Sequence, residues 1–148
     1  MARSIYTLNI PSSTRYLGQV RRFVADHAKG ANLSENTVEE FKIAVDEACT
    51  NVIKHAYKGD EAHQVDVAVI VEPDQFTVRI RDRGTAFNQQ TYEEPDLLEA
   101  VHLRRSGGLG VEIMRRLMDR VEYRTRGRVN EVHLTKYRTT ETLRNGEA

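Results

Sequence analysis

Two stretches of alternating apolar residues, VDVAVIV (65–71) and FTVRIRD (76–82), lie close together in this chain. An alternation with a period of two is typical of a β-strand, and a connection this short joins strands that run antiparallel. A second pair, VEYRT (121–125) and residues 129–136, is joined by the turn Arg126-Gly127-Arg128. Two hairpins of this kind constrain the chain to a mainly antiparallel sheet.

Two helices are predicted before the first hairpin. Ser12 or Ser13 is suited to cap a helix that runs to about Lys29, and Ser34 is suited to cap a second helix that runs to about Tyr57. The apolar residues of both segments recur with the spacing of a helix that buries one side.

The remaining elements complete the predicted order. IYTLNI (5–10) alternates as a strand, residues 84–108 are expected to form a functional loop or a mobile lid, and a last helix is expected over about 109–119. Because helices and strands are grouped rather than alternating, we predict an α+β fold in which helices cover one face of the sheet.

Length and charge limit the function classes. The 148 residues predict a single domain, with a core at about 5–137 and a flexible C-terminal tail. The 22 basic and 22 acidic side chains cancel, so charge supports neither nucleic-acid nor membrane binding. We expect no secretory signal and no membrane span. The single cysteine, Cys49, excludes an internal disulfide, and together these features favour a cytoplasmic protein.

The second predicted helix carries a line of polar residues. Glu47, Asn51 and His55 recur every four positions, so on a regular helix they lie within roughly 80° of one another. A solvated edge would explain this line. The carboxylate and the amide could also bind a hard cation, and a carboxylate beside phosphates could accept a proton. The helix alone does not decide between these interpretations.

Two further motifs could bind a nucleotide. Asp82 ends a predicted strand and Gly84 follows it, which is either ordinary turn chemistry or an acceptor for an exocyclic amine such as adenine N6. Gly107, Gly108 and Gly110 bracket a predicted helix start, where backbone N–H groups favour an anion.

Neither common phosphate-binding fingerprint fits this glycine-rich stretch. No GK[ST] follows it, so it is not a Walker A loop, and no strand directly precedes it, so the dinucleotide fingerprint fails. Arg104 and Arg105 stand just before the glycines, where a phosphate could meet them.

With these three motifs together, the chain resembles the Bergerat-fold ATPase superfamily, and most of all the anti-sigma factor serine kinases of bacteria. The stretches that carry the resemblance are DEACTNVIKHAYK, RDRGTAF and SGGLGVEIMRRLMDRVEY. The resemblance extends from about Ile5 to Tyr137 and implies a two-layer α/β sandwich that binds ATP or ADP with Mg²⁺.

The resemblance also implies roles for individual residues. Asn51 would help to hold Mg²⁺, and Glu47 would be the base that deprotonates the attacking hydroxyl. Asp82 would bind the adenine amine, with Gly84 letting the base lie against the backbone. His55 would line the same pocket less directly.

The remaining implied site residues lie in the glycine-rich segment. Arg105 would sit near the γ-phosphate. The implied phosphate contacts come from the backbone of Gly107, Gly108, Leu109 and Gly110.

Three positions depart from the pattern of the superfamily. Ala86 replaces the last glycine of the Asp-x-Gly-x-Gly form, and Asn88 stands where close relatives often have Asp. Near the last strand, Glu131 is aligned with a Thr that relatives place against the adenine. None of these changes removes the implied metal or phosphate ligands.

The implied partners are proteins. They are an anti-anti-sigma factor of the STAS type as substrate, a sigma factor that the kinase sequesters, and a second copy in a homodimer. Tyr16, Arg21 and Arg22 on the first helix are candidate partner contacts, although a solvated charged face would look the same.

Three other functions are alternatives to a kinase. A non-catalytic module could sense ATP against ADP and switch a partner by lid closure. An isolated histidine-kinase ATP-binding domain is disfavoured because no helix pair with a phospho-acceptor histidine precedes the motifs. A DNA-binding regulator is disfavoured by the neutral charge.

Overall fold

The computed structural model describes residues 3–84 and 109–138. The strands are β1 Ser4–Pro11, β2 Gln64–Val71, β3 Gln75–Asp82, β4 Arg120–Arg126 and β5 Val129–Tyr137. The helices are α1 Leu17–Gly30, α2 Glu35–Asn51 and α3 Leu109–Leu117, together with a 3₁₀ turn at Thr14–Tyr16 and a π-helical turn at Val52–Ala56.

The strands form one five-stranded sheet in the order β1-β2-β3-β5-β4, with every neighbouring pair antiparallel. The hairpins β2–β3 and β4–β5 are those that the alternating runs predicted. The predicted α+β fold, a two-layer sandwich with helices covering one face of the sheet, is confirmed.

The two faces of the sheet differ because side chains alternate along each strand. Val67 and Val69 of β2, and Val78 and Ile80 of β3, are fully buried under the helices. Phe41 of α2 meets Phe76 of β3 with ring centroids 5.0 Å apart in an edge-to-face arrangement. The opposite face carries other charged residues of these strands, including Asp66 and Arg81, and Arg81 pairs there with Glu131.

Ser13 and Ser34 form the two predicted caps. The hydroxyl of Ser34 accepts the backbone N–H of Thr37 at 3.2 Å. The hydroxyl of Ser13 accepts the N–H of Arg15 at 3.4 Å and caps the 3₁₀ turn, so regular α-helix starts only at Leu17. Ser12 instead donates to the Asp60 carbonyl at 2.6 Å and ties down the loop before β2.

The second helix does not continue regularly to Tyr57, as the sequence predicted. At Val52 it changes to a π-helical turn, in which the N–H of Tyr57 donates to the Val52 carbonyl at 2.9 Å. Tyr57 is the anchor of this turn: its hydroxyl donates to the Gln64 carbonyl and accepts the N–H of Arg83, both at 2.8 Å. These hydrogen bonds hold Tyr57 in a position that a regular continuation of α2 would not give it.

Several expectations concern residues that are not described. The predicted lid, Arg104, Arg105, Gly107 and Gly108 lie outside the described residues, as do Ala86 and Asn88. The C-terminal tail from residue 139 also lies outside them. Of the helices that are described, none has the length and apolarity needed to cross a bilayer.

Candidate nucleotide-binding site

Glu47 and Gly110 meet where α2 packs against α3. Gly110 is buried in the first turn of α3, and a Cβ atom built on it would overlap Oε2 of Glu47 and lie 3.3 Å from its Cδ. The glycine therefore lets the start of α3 approach the carboxylate directly. A helix start favours negative charge because its first N–H groups have no partner within the helix.

The surroundings of Glu47 disfavour its charged form. The pKa of the Glu47 carboxyl is raised mainly by burial and further by the adjacent Asp46, while Lys54 opposes the shift. Asp46 in turn accepts a hydrogen bond from Arg21 of α1 at 2.5 Å. A carboxylate with a raised pKa is suited to accept a proton near neutral pH.

Asn51 is the last residue of α2, one turn beyond Glu47, and is half-buried. Its amide oxygen is a suitable ligand for a hard cation. Within residues 3–84 and 109–138, no three His, Cys, Asp or Glu side chains gather closely enough to hold a metal ion on their own. A metal at this end of α2 would therefore need oxygens from a bound phosphate as well.

His55 follows Asn51 by four residues, beyond the regular part of α2. It lies in the π-helical turn and is exposed. The π turn is wider than an α-helical turn, but a step of four residues still comes close to one full turn in it, so His55 stays near the side of Asn51. The contact of His55 with a nucleotide stays a prediction.

Gly84 lies against the π-helical turn. A Cβ atom at residue 84 would overlap the carbonyl oxygen of Ala56 and lie 2.5 Å from its carbonyl carbon. These neighbours are backbone atoms, so they cannot swing away as a side chain could. Glycine is required here because the end of β3 approaches the helix so closely.

Asp82 is buried at the end of β3, on the same face as the core residues Val78 and Ile80. Its Oδ1 atom accepts the N–H of Gly84 at 2.8 Å and the side-chain amide of Asn130 at 3.0 Å. Among the described residues, no donor reaches Oδ2 of Asp82. This oxygen is the one that could accept an exocyclic amine.

Glu131 is not placed beside Asp82, contrary to the alignment made from the sequence. It lies on the opposite face of the sheet, where it pairs with Arg81 at 2.5 Å and with His133 at 2.8 Å. Asn130 stands directly across from Asp82 in the β3–β5 register. The parity of β5 could have shown this, because Val132 and Leu134 are core residues and Asn130 shares their face.

The helical segment from α2 to the π-helical turn thus touches both predicted halves of the site. Glu47 contacts the start of α3, and Ala56 contacts Gly84 beside Asp82. These two contacts are roughly 13 Å apart along the helix, from the rise of about 1.5 Å per residue. That separation is on the scale of a nucleoside triphosphate.

Comparisons with known proteins show the family of the chain. The family described as "Histidine kinase-like ATPase domain" matches residues 10–136. The chain is 36% identical over 120 residues to the serine-protein kinase RsbW of Listeria monocytogenes serovar 1/2a, covering 78% of this chain and 76% of the relative. It is 33% identical over 134 residues to RsbW of Bacillus subtilis, covering 88% and 83%.

Solved structures show the same fold at much lower identity. A chain of the SiaB–SiaC complex from Pseudomonas aeruginosa matches with a TM-score of 0.63 at 14% identity, covering 88% of each chain. The histidine kinase domain of the blue-light activated kinase EL346 from Erythrobacter litoralis matches with a TM-score of 0.54 at 18% identity, covering 93% of this chain and 64% of that one. The chain therefore belongs to the family of histidine kinase-like ATPase domains and, within it, to the RsbW-type serine-protein kinases.

Proposed function

We propose that this protein is an ATP-dependent serine kinase that phosphorylates an anti-anti-sigma factor of the STAS type and also sequesters a sigma factor. The observation that carries the proposal is the contact of Glu47 with Gly110 in the first turn of α3. It brings a proton acceptor to a helix start suited to phosphate. The 33–36% identity to proteins named serine-protein kinase RsbW supports the same chemistry.

The described residues fit a bound ATP molecule at three points. Oδ2 of Asp82 would accept the adenine N6 amine, and the N–H groups at the start of α3 would meet the phosphates. Asn51 would contribute an oxygen ligand to Mg²⁺. A magnesium ion held there would neutralise charge on the phosphates during transfer.

The remaining predicted contacts belong to the glycine-rich segment. In this proposal Arg105 approaches the γ-phosphate, and the backbone of Gly107, Gly108 and Leu109 supplies further N–H groups. Most of this segment lies outside the described residues, so these roles remain predictions. The role of His55 is not needed for the mechanism.

The proposed reaction needs one proton transfer. The serine hydroxyl of the substrate protein gives its proton to the Glu47 carboxylate as its oxygen forms a bond to the γ-phosphorus. The bond from that phosphorus to the β–γ bridging oxygen breaks, and ADP leaves. Glu47 must be ionised to act, so its raised pKa places the acidic limit of activity above that of an ordinary glutamate.

Substitution of the base tests the proposal. Glu47→Ala should lower γ-phosphoryl transfer to the antagonist protein by about 10²- to 10⁴-fold, the usual contribution of a general base, and leave ATP affinity nearly unchanged. Radiolabelled ATP measures the transfer, and equilibrium binding measures the affinity.

Glu39→Ala is the matched control, because Glu39 is an exposed carboxylate of the same helix whose side chain pairs with Lys42. Equal transfer by the Glu47 variant and the wild type would refute the role of Glu47. A wild-type protein that binds ATP but transfers no phosphate to any antagonist would instead favour the non-catalytic, nucleotide-sensing module.

The proposed partners follow from the same family membership. A sigma factor acts in the cytoplasm, so the proposal places this protein there, and a homodimer is the proposed assembly. Tyr16, Arg21 and Arg22 of the first helical segment are the proposed contacts to the protein partners.

A further inference from the structure

Asn130 of β5 uses every hydrogen-bonding group of its side chain to support the end of β3. Its amide nitrogen donates to Oδ1 of Asp82 at 3.0 Å and to the carbonyl of Gly84 at 2.8 Å. Its amide oxygen accepts the hydroxyl of Thr125 at 3.2 Å. The orientation of the amide is therefore fixed, since a flipped amide would set its oxygen against the oxygens of Asp82 and Gly84 and lose both of those bonds.

This arrangement decides which atom of residue 82 is available to a ligand. Oδ1 of Asp82 already accepts two N–H groups, from Gly84 and from Asn130. Rotation of the carboxylate would break one or both of these bonds. Asn130 thereby helps to leave Oδ2 as the oxygen of Asp82 that no donor among the described residues occupies.

We infer that Asn130 is a positioning residue that sets base selectivity by holding Asp82 as an acceptor facing position 6 of the purine. This inference rests on the proposed function, in which Asp82 reads the base of ATP. A carboxylate oxygen accepts the 6-amino group of adenine and opposes the 6-oxo group of hypoxanthine or guanine. Selectivity for ATP over ITP is then a joint property of residues 82 and 130.

A second Asn–Asp pair in the sheet provides a matched control. The side chain of Asn9 in β1 donates to Asp66 in β2, and the two residues stand directly opposite in the register, as Asn130 and Asp82 do. Asp66 precedes the core residue Val67 and so lies on the face that the helices leave open. Removal of this pair tests the general effect of losing an Asn–Asp bridge.

The experiment compares the affinities of the full-length protein for ATP and ITP, measured with Mg²⁺ by displacement of a fluorescent ATP analogue. Asn130→Ala should reduce the ATP preference by about tenfold, the factor expected for one hydrogen bond to a charged group. Asn9→Ala should leave the preference unchanged. An unchanged preference in a folded Asn130→Ala protein would overturn the inference.

A second variant tests the same inference with Asn130 intact. In Asp82→Asn, the donors of Asn130 and Gly84 should hold the new amide oxygen in the place of Oδ1, which leaves the amide nitrogen facing the base. This variant should therefore prefer ITP over ATP, and the added Asn130→Ala change should abolish that reversal. An Asp82→Asn variant that still prefers ATP would also overturn the inference. This test remains valid if the Asn130→Ala protein does not fold.

The outcomes separate this inference from the proposed function. If the wild-type protein shows no preference for ATP over ITP, then Asp82 does not recognise adenine. That result would refute this part of the proposed function and the inference together. A wild-type preference that survives in Asn130→Ala would leave the proposed function intact and remove only the role of Asn130.

Discussion

At the residue scale, the proposed base Glu47 lies in surroundings that lower stability when its carboxyl group is charged. Burial and the charge of Asp46 both raise the pKa of its carboxyl group, so the folded protein favours the protonated form more than the unfolded chain does. Ionisation at neutral pH therefore costs the folded state more than the unfolded state. The same environment that makes Glu47 a suitable proton acceptor makes it an unfavourable residue for the fold.

A neutral isostere should remove this cost. Glu47→Gln should have a larger free energy of unfolding than the wild type at neutral pH, and the gain should disappear below about pH 4, where the carboxyl is protonated in both states. The sign follows from the raised pKa: the destabilising charge is absent below the unfolded pKa and fully present above the folded one. Urea unfolding at both pH values measures the difference.

Glu39→Gln serves as the control for this measurement, because Glu39 is exposed on the same helix. A gain for Glu47→Gln that is equal at acidic and neutral pH would show that burial does not penalise the Glu47 charge. Phosphoryl transfer should be lost in Glu47→Gln, since an amide cannot accept the proton.

At the scale of elements, the π-helical turn is the feature that joins the end of α2 to the end of β3. It brings the carbonyl of Ala56 onto Gly84, while Tyr57 binds the N–H of Arg83 and the carbonyl of Gln64. The end of α2 and the end of β3 are therefore joined through backbone contacts. We expect a disturbance of this junction to affect stability and adenine binding together.

Gly84→Ala tests this junction. The added methyl group would overlap backbone atoms of Ala56, so we expect a loss of about 1–3 kcal/mol in unfolding free energy, typical of overpacking, and weaker ATP binding. Chemical denaturation and nucleotide titration provide the two measurements. Gly30→Ala is the control, because a Cβ atom there has no neighbour within 4 Å. Full stability and full affinity in Gly84→Ala would contradict the close approach.

At the scale of the whole molecule, the ion pair of Arg21 with Asp46 links the proposed partner surface to the surroundings of the proposed base Glu47. Arg21 of α1 binds Asp46, which is adjacent to Glu47, whereas Arg22 is exposed. A charge reversal at Arg21 would thus disturb the surroundings of the base as well as the surface. Arg22 offers the cleaner test of partner binding.

Arg22→Glu should weaken binding of the sigma factor by at least about tenfold, because a reversed charge meets a surface complementary to the original one. ATP affinity and melting temperature should not change. Binding to the purified sigma factor at two salt concentrations measures the effect, which should shrink at high salt. Unchanged binding would place the partner surface elsewhere on the molecule.

The alternation of apolar residues and the serine caps of the helices made much of the architecture predictable from the sequence. The runs at 65–71 and 76–82 became β2 and β3, and Ser34 caps α2. These features depend on neighbours within a few residues, which the sequence displays directly. The end of α2 was not predictable in this way, because Tyr57 is held by Gln64 and Arg83 from other parts of the chain.

For this protein the sequence by itself determined the antiparallel hairpins, the family motifs and the residue types of the site, because each depends on the spacing of residues that are close together in the chain. Only the tertiary structure decided that Asn130 stands directly across from Asp82, that α2 ends in a π-helical turn, and that Gly110 contacts the Glu47 carboxylate. Strand register and helix packing set those neighbours, and a shift of one residue in a strand exchanges the two faces.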